Sequence, residues 1–296
     1  RIEQWHLATK EEVMVLKYRS CVLLVAFVMV FLAAATPAEA QRSFEPLCDK
    51  FSFSAQASWI GLKTEIGLDS ETLGKGTTLN FEDDLGLSSN EAVPSLAFEW
   101  QIARKHRLAV RWQDISRDSS AQALTEIQWG DEIIPIDAGI TLAFDITQYF
   151  IDYTYYPWVK EKWAAGFGLG IRWLDLKADL QWEEETIGGG GDSIDAAAPL
   201  PYIYFEYRRM FSDHWRFIAG LGWLSLTFED FSGGNYVGRA SIEYLVGKRW
   251  SFGGAINLAN ANVDIENIED EEGNPEFTAR VDMSINDISV FARVRF

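Results

Sequence analysis

Histidine and cysteine are scarce in this sequence, whose 296 residues include three histidines and two cysteines. Cys21 and Cys48 are too few for a disulfide framework, and Cys21 lies in a segment that we expect to be removed from the mature chain. His106 and His214 both lie at predicted short turns, and no G-x-S-x-G or metal-binding histidine motif is present. The sequence therefore predicts a protein that is not an enzyme, with no catalytic residues, no metal site and no cofactor.

Basic residues are in the minority. The chain carries 26 lysines and arginines against 44 aspartates and glutamates, a formal net charge of −18. Nucleic-acid binding needs clustered positive charge to offset the phosphates, and no such excess is present. The composition therefore argues against a nucleic-acid partner.

Long apolar runs are absent after residue 40. The single such run, Val22–Ala35, follows Lys17 and Arg19, and it is shorter than the ~20 residues of a transmembrane helix. A signal peptide over residues 14–40 fits this pattern better than a membrane anchor does. The predicted cleavage site is formed by Ala38, Ala40 and Gln41. Residues 1–13 precede Met14, the natural start, and are predicted to be upstream readthrough without structure, while residues 41–50 are predicted to form a periplasmic N-terminal segment.

The rest of the chain repeats an alternation with a period of two. In the last stretch, residues 288–296, one face is apolar and ends on Phe296, and the other face carries Arg293 and Arg295. This period predicts β-strands with different surroundings on their two faces. Ten such stretches occur: 51–59, 95–102, 108–113, 149–155, 166–173, 203–208, 217–223, 239–246, 251–258 and 288–296.

The connections between these stretches are of two kinds that alternate along the chain. The predicted short turns are Arg104–Arg107, Val159–Lys162, Ser212–His214 and Gly247–Arg249. The predicted long loops are Ser70–Glu91, Ser119–Pro135, Glu183–Pro199, Glu229–Asn235 and Asp264–Pro275. Short turns on one rim and long loops on the other are typical of transmembrane β-barrels, with both termini on the short-turn side.

The polarity of the strand faces separates a membrane barrel from a soluble β-sandwich. The polar faces hold glycine, serine and paired charges, whereas the apolar faces are bulky and end near Trp or Tyr, as in the aromatic girdles of membrane barrels. Residues 51–296 are therefore predicted to form an all-β, antiparallel transmembrane β-barrel of about ten strands, with eight as the alternative. The alternation slips near Thr147 and near Trp173–Leu174, which either bulges or strand ends above the membrane would explain.

The export signal, the alternation and the terminal Phe296 together resemble small bacterial outer-membrane barrels of the OmpA/OmpW type. The stretch Leu79–Leu87 resembles a recurrent first-loop feature of such proteins. The resemblance implies a monomer integral to the outer membrane of a Gram-negative envelope, in contact with lipid and lipopolysaccharide. It also implies insertion by the barrel-assembly machinery, with Phe296 as the assembly signal. The implied function is a passive porin-like or structural envelope role.

Charged residues recur on the predicted lumen face. They are Glu99, Arg111, Asp152, Arg172, Glu206, Arg208, Arg239, Glu243 and Arg293. A narrow barrel interior requires buried charges to be paired, so a structural network is one interpretation and a charge-lined pore is the other. Inward glycines leave space that Phe150, Tyr204 and Phe291, or a solute, would fill.

The acidic loops provide two further alternatives. Runs at Glu183–Glu185 and Glu266–Glu272 suggest a solvated outer face, or a surface adhesion or ligand- and cation-binding barrel. An outer-membrane lipid or peptide hydrolase is the weakest alternative. The tempting pair Asp213–His214 lies in a short turn on the predicted periplasmic rim, the wrong side for such chemistry.

Overall fold

The computed structural model describes residues 46–47, 49–70, 76–123, 126–129, 132–184, 188–228, 231–269 and 275–296. The predicted readthrough and signal peptide, the cleavage site Ala38–Gln41, and Cys48 lie outside the described residues. Among the described residues, none forms a helix of the length and apolarity required to cross a membrane.

Ten long antiparallel strands close into a barrel, and three short strands accompany them. The strands are β1 (Phe51–Ser70), β2 (Thr78–Asn80), β3 (Asn90–Ala103), β4 (His106–Gln122), β5 (Ile127–Trp129), β6 (Glu132–Ile134), β7 (Gly139–Val159), β8 (Trp163–Glu184), β9 (Gly188–Met210), β10 (Trp215–Phe228), β11 (Phe231–Val246), β12 (Trp250–Glu269) and β13 (Pro275–Arg295). Each long strand pairs with its two neighbours in the chain order of the long strands, and β13 pairs with β1. The predicted ten-stranded antiparallel barrel is confirmed, and the eight-stranded alternative is excluded.

The first and last strands, β1 and β13, are joined where the barrel closes. The register of β1 and β13 runs from Ser52 opposite Arg295 to Ser70 opposite Phe277. The amide of Phe296 donates to the carbonyl of Phe51 at 2.8 Å, and the carbonyl of Phe296 accepts from the amide of Lys50 at 2.8 Å. The seam between β1 and β13 is therefore hydrogen-bonded to its short-turn end, as a closed sheet requires.

The four predicted short turns are found between β3 and β4, β7 and β8, β9 and β10, and β11 and β12. Three predicted long loops are wrong over most of their length, because the strands continue through them. They are Glu183–Pro199, Glu229–Asn235 and Asp264–Pro275; likewise, β4 continues past Ser119. Glycine and acidic residues there are typical of loops, but the neighbouring strands satisfy their backbone hydrogen bonds.

The polarity of both barrel faces inverts halfway along the long strands. On β8 the outward residues change from Leu169 and Ile171 to Lys177 and Asp179, while the inward residues change from glycine to residues such as Leu180. The two predicted phase slips mark this inversion. No register shift lies there, since the one shift between β7 and β8 falls between Tyr155 and Trp158. Bulges are therefore excluded as the explanation, and both strands continue through the inversion.

The exposed apolar belt lies on the short-turn half of the wall and is bordered by aromatic side chains. The lower border includes Trp158, Trp215, Tyr244 and Trp250, and the upper border includes Trp59, Tyr149, Trp173 and Trp223. A strand crosses a bilayer with ~9–11 residues, whereas β8 has 22. The short-turn half therefore spans the bilayer, and the other half stands beyond it.

A hydrophobic core fills this outer half. It includes Ile60, Leu62, Ile115, Ile140, Leu142, Phe144, Ile146, Leu174, Leu180 and Ile285. The stretch Leu79–Leu87 folds into it, with Leu79, Phe81, Leu85 and Leu87 all buried. Each fully buried side chain of this size contributes about 1.5–3 kcal/mol. The first-loop feature noted in the sequence is thus a cap on the outer end of the lumen.

One buried ion pair fastens this cap to the wall. Arg117 of β4 donates to the Glu82 carboxylate at 2.5 Å and to Thr64 Oγ1 at 3.2 Å. Glu82 also accepts from the backbone amide of Thr64 at 2.7 Å. Asn80 forms the turn itself. Its side-chain oxygen accepts hydrogen bonds from the backbone amides of Glu82 and Asp83, as in an Asx turn.

Candidate functional site in the barrel lumen

Glu99 of β3 is the centre of the charged layer in the membrane half of the lumen. Its carboxylate pairs with Arg107, with Arg208 at 3.1 Å and with Arg293 at 3.2 Å. Arg107, Arg208 and Arg293 are fully buried, so their charges depend on such partners. Strands β3, β4, β9 and β13 are thereby tied together across the lumen.

Glu206 of β9 forms a second buried group. Arg208 donates its Nε to the Glu206 carboxylate at 2.5 Å. The hydroxyl of Tyr156 donates to the same carboxylate, and that of Tyr204 donates to it at 3.2 Å. Because both phenols and a guanidinium saturate it, Glu206 is satisfied without solvent.

Glu243 and Asp49 form a third group at the short-turn end. Glu243 pairs with Arg216 and, at 3.6 Å, with Arg293. Asp49 lies 2.6 Å from Arg216 and 3.4 Å from Arg295. Burial alone would raise the pKa of Asp49, but the guanidinium groups of Arg216 and Arg295 outweigh it and hold that pKa well below its usual range.

The segment before β1 therefore reaches into the barrel. Leu47 packs with the fully buried Tyr156 and Ala164, and Asp49 is 5% exposed. Within the range 41–50, predicted as a periplasmic segment, these two residues line the inner end of the lumen. They close it from the side opposite the Leu79–Leu87 cap.

The middle of the lumen holds three arginines without a carboxylate partner. Among the described residues, no carboxylate oxygen lies within 4.0 Å of the charged nitrogens of Arg111, Arg172 or Arg239. Arg111 donates to the amide oxygen of Asn257 at 2.7 Å, and Arg172 donates to that of Gln148 at 3.0 Å. The predicted charge pairing is wrong for these three positions.

The two carboxylates at this height are held by neutral donors. The hydroxyl of Tyr202 donates to Asp152 at 2.5 Å, and the amide of Asn257 donates to Asp287 at 2.7 Å. The alternation along a strand shows which side chains face the lumen, but it does not show at what level along the barrel axis each one lies. This is why five of the nine predicted residues, Glu99, Glu206, Arg208, Glu243 and Arg293, form ion pairs and the other four do not.

Aromatic rings fill the space that the inward glycines leave. A Cβ at Gly220 would lie 2.0 Å from the Tyr204 hydroxyl, and one at Gly170 would lie 2.1 Å from the Tyr202 ring. The expectation that Tyr204 occupies such space is confirmed. A cavity of about 40 Å³ between the arginines and tyrosines and another of about 10 Å³ nearby remain, enough for about three waters and about one.

Five charged residues of the lumen were not among those predicted. Arg107, Arg216 and Asp287 lie on the inward faces of β4, β10 and β13, each one residue before a predicted stretch, so extending each stretch by one residue finds them. Arg295 stands on the polar face of the closing stretch. Asp49 precedes β1, and no local pattern signals its position.

The other features singled out in the sequence lie elsewhere. Asp213–His214 occupies the short turn between β9 and β10, and His106 bonds to the Tyr153 hydroxyl at 2.6 Å at the same end of the barrel. Glu183 is exposed. The side chains of Glu184, Glu185 and 266–272 lie outside those that the structure describes.

Comparison with known proteins places this architecture among outer-membrane barrels. The outer-membrane protease OmpT of Escherichia coli superposes with a TM-score of 0.52 at 9% identity, over 83% of this chain and 97% of OmpT. The translocator domain of the autotransporter NalP of Neisseria meningitidis (TM-score 0.44, 14% identity, 83% and 89% covered) and OprG of Pseudomonas aeruginosa (0.35, 10%, 84% and 98%) are also similar. No protein-family model and no curated protein sequence matches the chain.

The similarity to OmpT concerns the fold alone, because at 9% identity the function of a neighbour does not transfer to this chain. The superposition on OmpT covers nearly the whole of that protein. Together with the exposed apolar belt, it shows that the chain is a transmembrane β-barrel of the outer-membrane type.

Proposed function

We propose that this protein is a structural barrel of the bacterial outer membrane with a closed lumen, of the small OmpA/OmpW type. The observation that carries the proposal is the double filling of the lumen. Buried ion pairs around Glu99 occupy the membrane half, and the hydrophobic core around Phe144 occupies the outer half. A solute would have to displace both, which argues against a porin-like role.

The outer surface supports insertion as a monomer in lipid. Large apolar side chains are exposed around the barrel, among them Leu169 (66%), Leu221 (61%) and Ile288 (63%) on three different strands. A surface this apolar is stable against lipid chains and not against water. Export by the predicted signal peptide, contact with lipopolysaccharide and insertion by the barrel-assembly machinery through Phe296 belong to the same proposal.

We also propose that the barrel is not a hydrolase. His106 and His214 both lie at the short-turn end, the end that faces the periplasm in this orientation. The Ser212 hydroxyl accepts a hydrogen bond from the backbone amide of His214, and His106 bonds to the Tyr153 hydroxyl. In the described part of the chain, no group of three or more potential metal ligands is found.

Conductance of the refolded protein in a planar bilayer tests the closed lumen. We expect no steady conductance from protein whose folding is verified by heat-modifiable migration, and the same protein unfolded by heat is the control for leakage. Large, steady channels of the size formed by wide trimeric porins would refute the closed-lumen proposal.

Binding at the cell surface is the second candidate function. It is favoured by the polar outer half of the wall, where Asp145, Asp175, Asp179 and Asp195 surround Lys177. Calorimetric titration of the folded barrel with calcium tests it, with the double variant Asp175→Asn/Asp179→Asn as the matched protein. A heat of calcium binding that is present in the wild type and absent in the double variant would support this role. Identical titrations of the two proteins would contradict it.

A further inference from the structure

The charges of the membrane half of the lumen do not balance. Among the described residues, eight guanidinium groups face six carboxylates, leaving two positive charges in excess. The arginines are Arg107, Arg111, Arg172, Arg208, Arg216, Arg239, Arg293 and Arg295. The carboxylates are Asp49, Glu99, Asp152, Glu206, Glu243 and Asp287. In an interior of low dielectric, uncompensated charge of this kind is strongly destabilising unless a counter-ion is present.

One of the two excess charges lies at the larger lumen cavity, where four arginines face three carboxylates, those of Glu99, Asp152 and Glu206. Four arginines line this cavity of about 40 Å³: Arg111, Arg208, Arg239 and Arg293. As described above, Arg111 and Arg239 have no carboxylate within 4.0 Å, and the planar face of Arg111 rests on the Phe150 ring at 4.1 Å. Two guanidinium groups that face one small cavity repel each other, and an anion between them would remove that repulsion.

The unused hydrogen-bonding capacity of the cavity consists of donors. Arg208 is 1% exposed, and its Nη1 makes no hydrogen bond within the protein; the buried Nη2 of Arg239 also makes none. The carboxylates at the cavity wall are already engaged: Glu99 and Glu206 by arginines, and Asp152 by Tyr202. The cavity therefore calls for an acceptor. Water is an acceptor, but only an anion also offsets the excess charge.

We propose that this cavity binds one small inorganic anion of the size of chloride. The volume accommodates about three water-sized species, which suits a small inorganic ion and is too small for an organic acid of several carbon atoms. The aromatic wall of Tyr202 and Tyr204 fixes its dimensions, because both rings already press against inward glycines. The ion contacts Arg239 Nη2 and Arg208 Nη1, and it offsets one of the two excess positive charges of the lumen.

Crystals of the folded barrel grown in sodium bromide provide the direct test. Anomalous scattering at the bromine edge is expected to show a peak inside the cavity, within contact of Arg239. Bromide found only on the outer surface, or an interior that refines as water alone, would overturn the proposal.

The solution test compares thermal unfolding in sodium chloride and in sodium gluconate at equal ionic strength. Above its dissociation constant, a bound ion raises the midpoint by about 3–5 °C for each tenfold increase in concentration, so chloride should do so and the bulky gluconate should not. Arg239→Met should lose the difference between the salts. Arg104→Gln, an exposed change in the turn between β3 and β4, should keep it.

A further variant covers the case in which Arg239→Met does not fold. Arg239→Lys keeps the charge and should retain a chloride effect, weakened because one directed donor is lost. The line width of the chlorine-35 resonance tests chloride binding without any variant. The wild-type protein should broaden this line, and added bromide should narrow it again by competing for the cavity. Midpoints that follow ionic strength alone, with no broadening, would contradict the proposal.

Discussion

At the scale of the residue, Glu99 supports more of the lumen than any other side chain described above. Its carboxylate is shared by Arg107, Arg208 and Arg293, none of which reaches water. Removing one member of a buried ion pair typically costs about 3–5 kcal/mol, because the partner charge remains buried. The position is therefore a test of whether the lumen is dry.

We expect Glu99→Gln to lower the free energy of unfolding by about 3–5 kcal/mol, measured by denaturant titration of tryptophan fluorescence in lipid vesicles. Glutamine keeps the volume and removes the charge. Glu161→Gln, in the exposed turn between β7 and β8, is the matched control and should change stability little. A loss below about 1 kcal/mol at Glu99 would mean that water screens the network and that the lumen is open to solvent.

The low pKa of Asp49 predicts a pH dependence of stability. Its pKa is depressed in the folded protein because Arg216 and Arg295 outweigh the effect of burial. The resulting stabilisation is therefore fully present above the unfolded pKa of about 3.9 and is lost as the pH falls toward the folded pKa. The free energy of unfolding of the wild type should exceed that of Asp49→Asn by a constant amount at pH 5–8. This difference should shrink below about pH 4.

Denaturant titrations of both proteins over this pH range provide the measurement. A margin that grows on acidification would contradict the predicted sign. A margin of zero at neutral pH would mean that Asp49 is not docked against Arg216.

At the scale of the element, the alternation of apolar and polar residues predicted the strands well in the membrane half of the barrel and poorly outside it. Side chains such as Phe167 and Leu169 face lipid there, and glycine or charge faces the lumen, which makes the alternation unmistakable. Beyond Trp173 the faces exchange polarity, so the same strand reads as a loop of Asp, Lys and Gly. Strand length there depends on pairing with neighbours, which the local pattern does not contain.

The candidate site shows the same limit. The alternation placed Arg111 and Arg239 on the inner face, but it did not reveal that, among the described residues, no carboxylate oxygen lies within 4.0 Å of their charged nitrogens. Heights depend on strand tilt and stagger, which link residues far apart in sequence. Asp49 was missed for a related reason, since its position is set by Arg216 and Arg295.

The inversion of polarity along β8 predicts where the bilayer ends. In a Cys48→Ser background, Leu169→Cys and Asp179→Cys place one thiol on each side of Trp173, both facing outward. A water-soluble maleimide should label Asp179→Cys rapidly in lipid nanodiscs and Leu169→Cys slowly, because acyl chains cover the latter. The two labelling rates should become equal when the proteins are denatured. Equal rates in the folded state would show that the bilayer does not end between Leu169 and Asp179.

The closing strand β13 makes Phe296 a test of barrel assembly. Its backbone bonds to Lys50 and Phe51 join the last strand to the start of the first. Deleting Phe296 removes these bonds, and Phe296→Asp places a charge at the lower edge of the lipid-facing surface. Both should reduce membrane fractionation and heat-modifiable migration, whereas Phe296→Trp should preserve them. Normal insertion of the deletion would show that Phe296 is not an assembly signal.

At the scale of the whole molecule, the barrel is closed by two unrelated devices. Charged side chains and the segment containing Leu47 and Asp49 close the membrane half. Apolar side chains and the Leu79–Leu87 cap close the outer half. Because one seal is electrostatic and the other hydrophobic, conditions that weaken the first, such as acid, leave the second intact.

This independence predicts the behaviour of a shortened chain. A mature protein beginning at Phe51 lacks Leu47 and Asp49, so it should unfold at lower denaturant concentration than the chain beginning at Gln41. It should nevertheless admit no small sugar in a liposome-swelling assay, because the core around Phe144 still fills the outer half. The chain beginning at Gln41 is the matched control, and a wide trimeric porin shows the swelling that an open lumen produces. Swelling by the shortened chain, with folding verified by circular dichroism, would mean that the segment before β1 is the only seal and that the outer core is permeable.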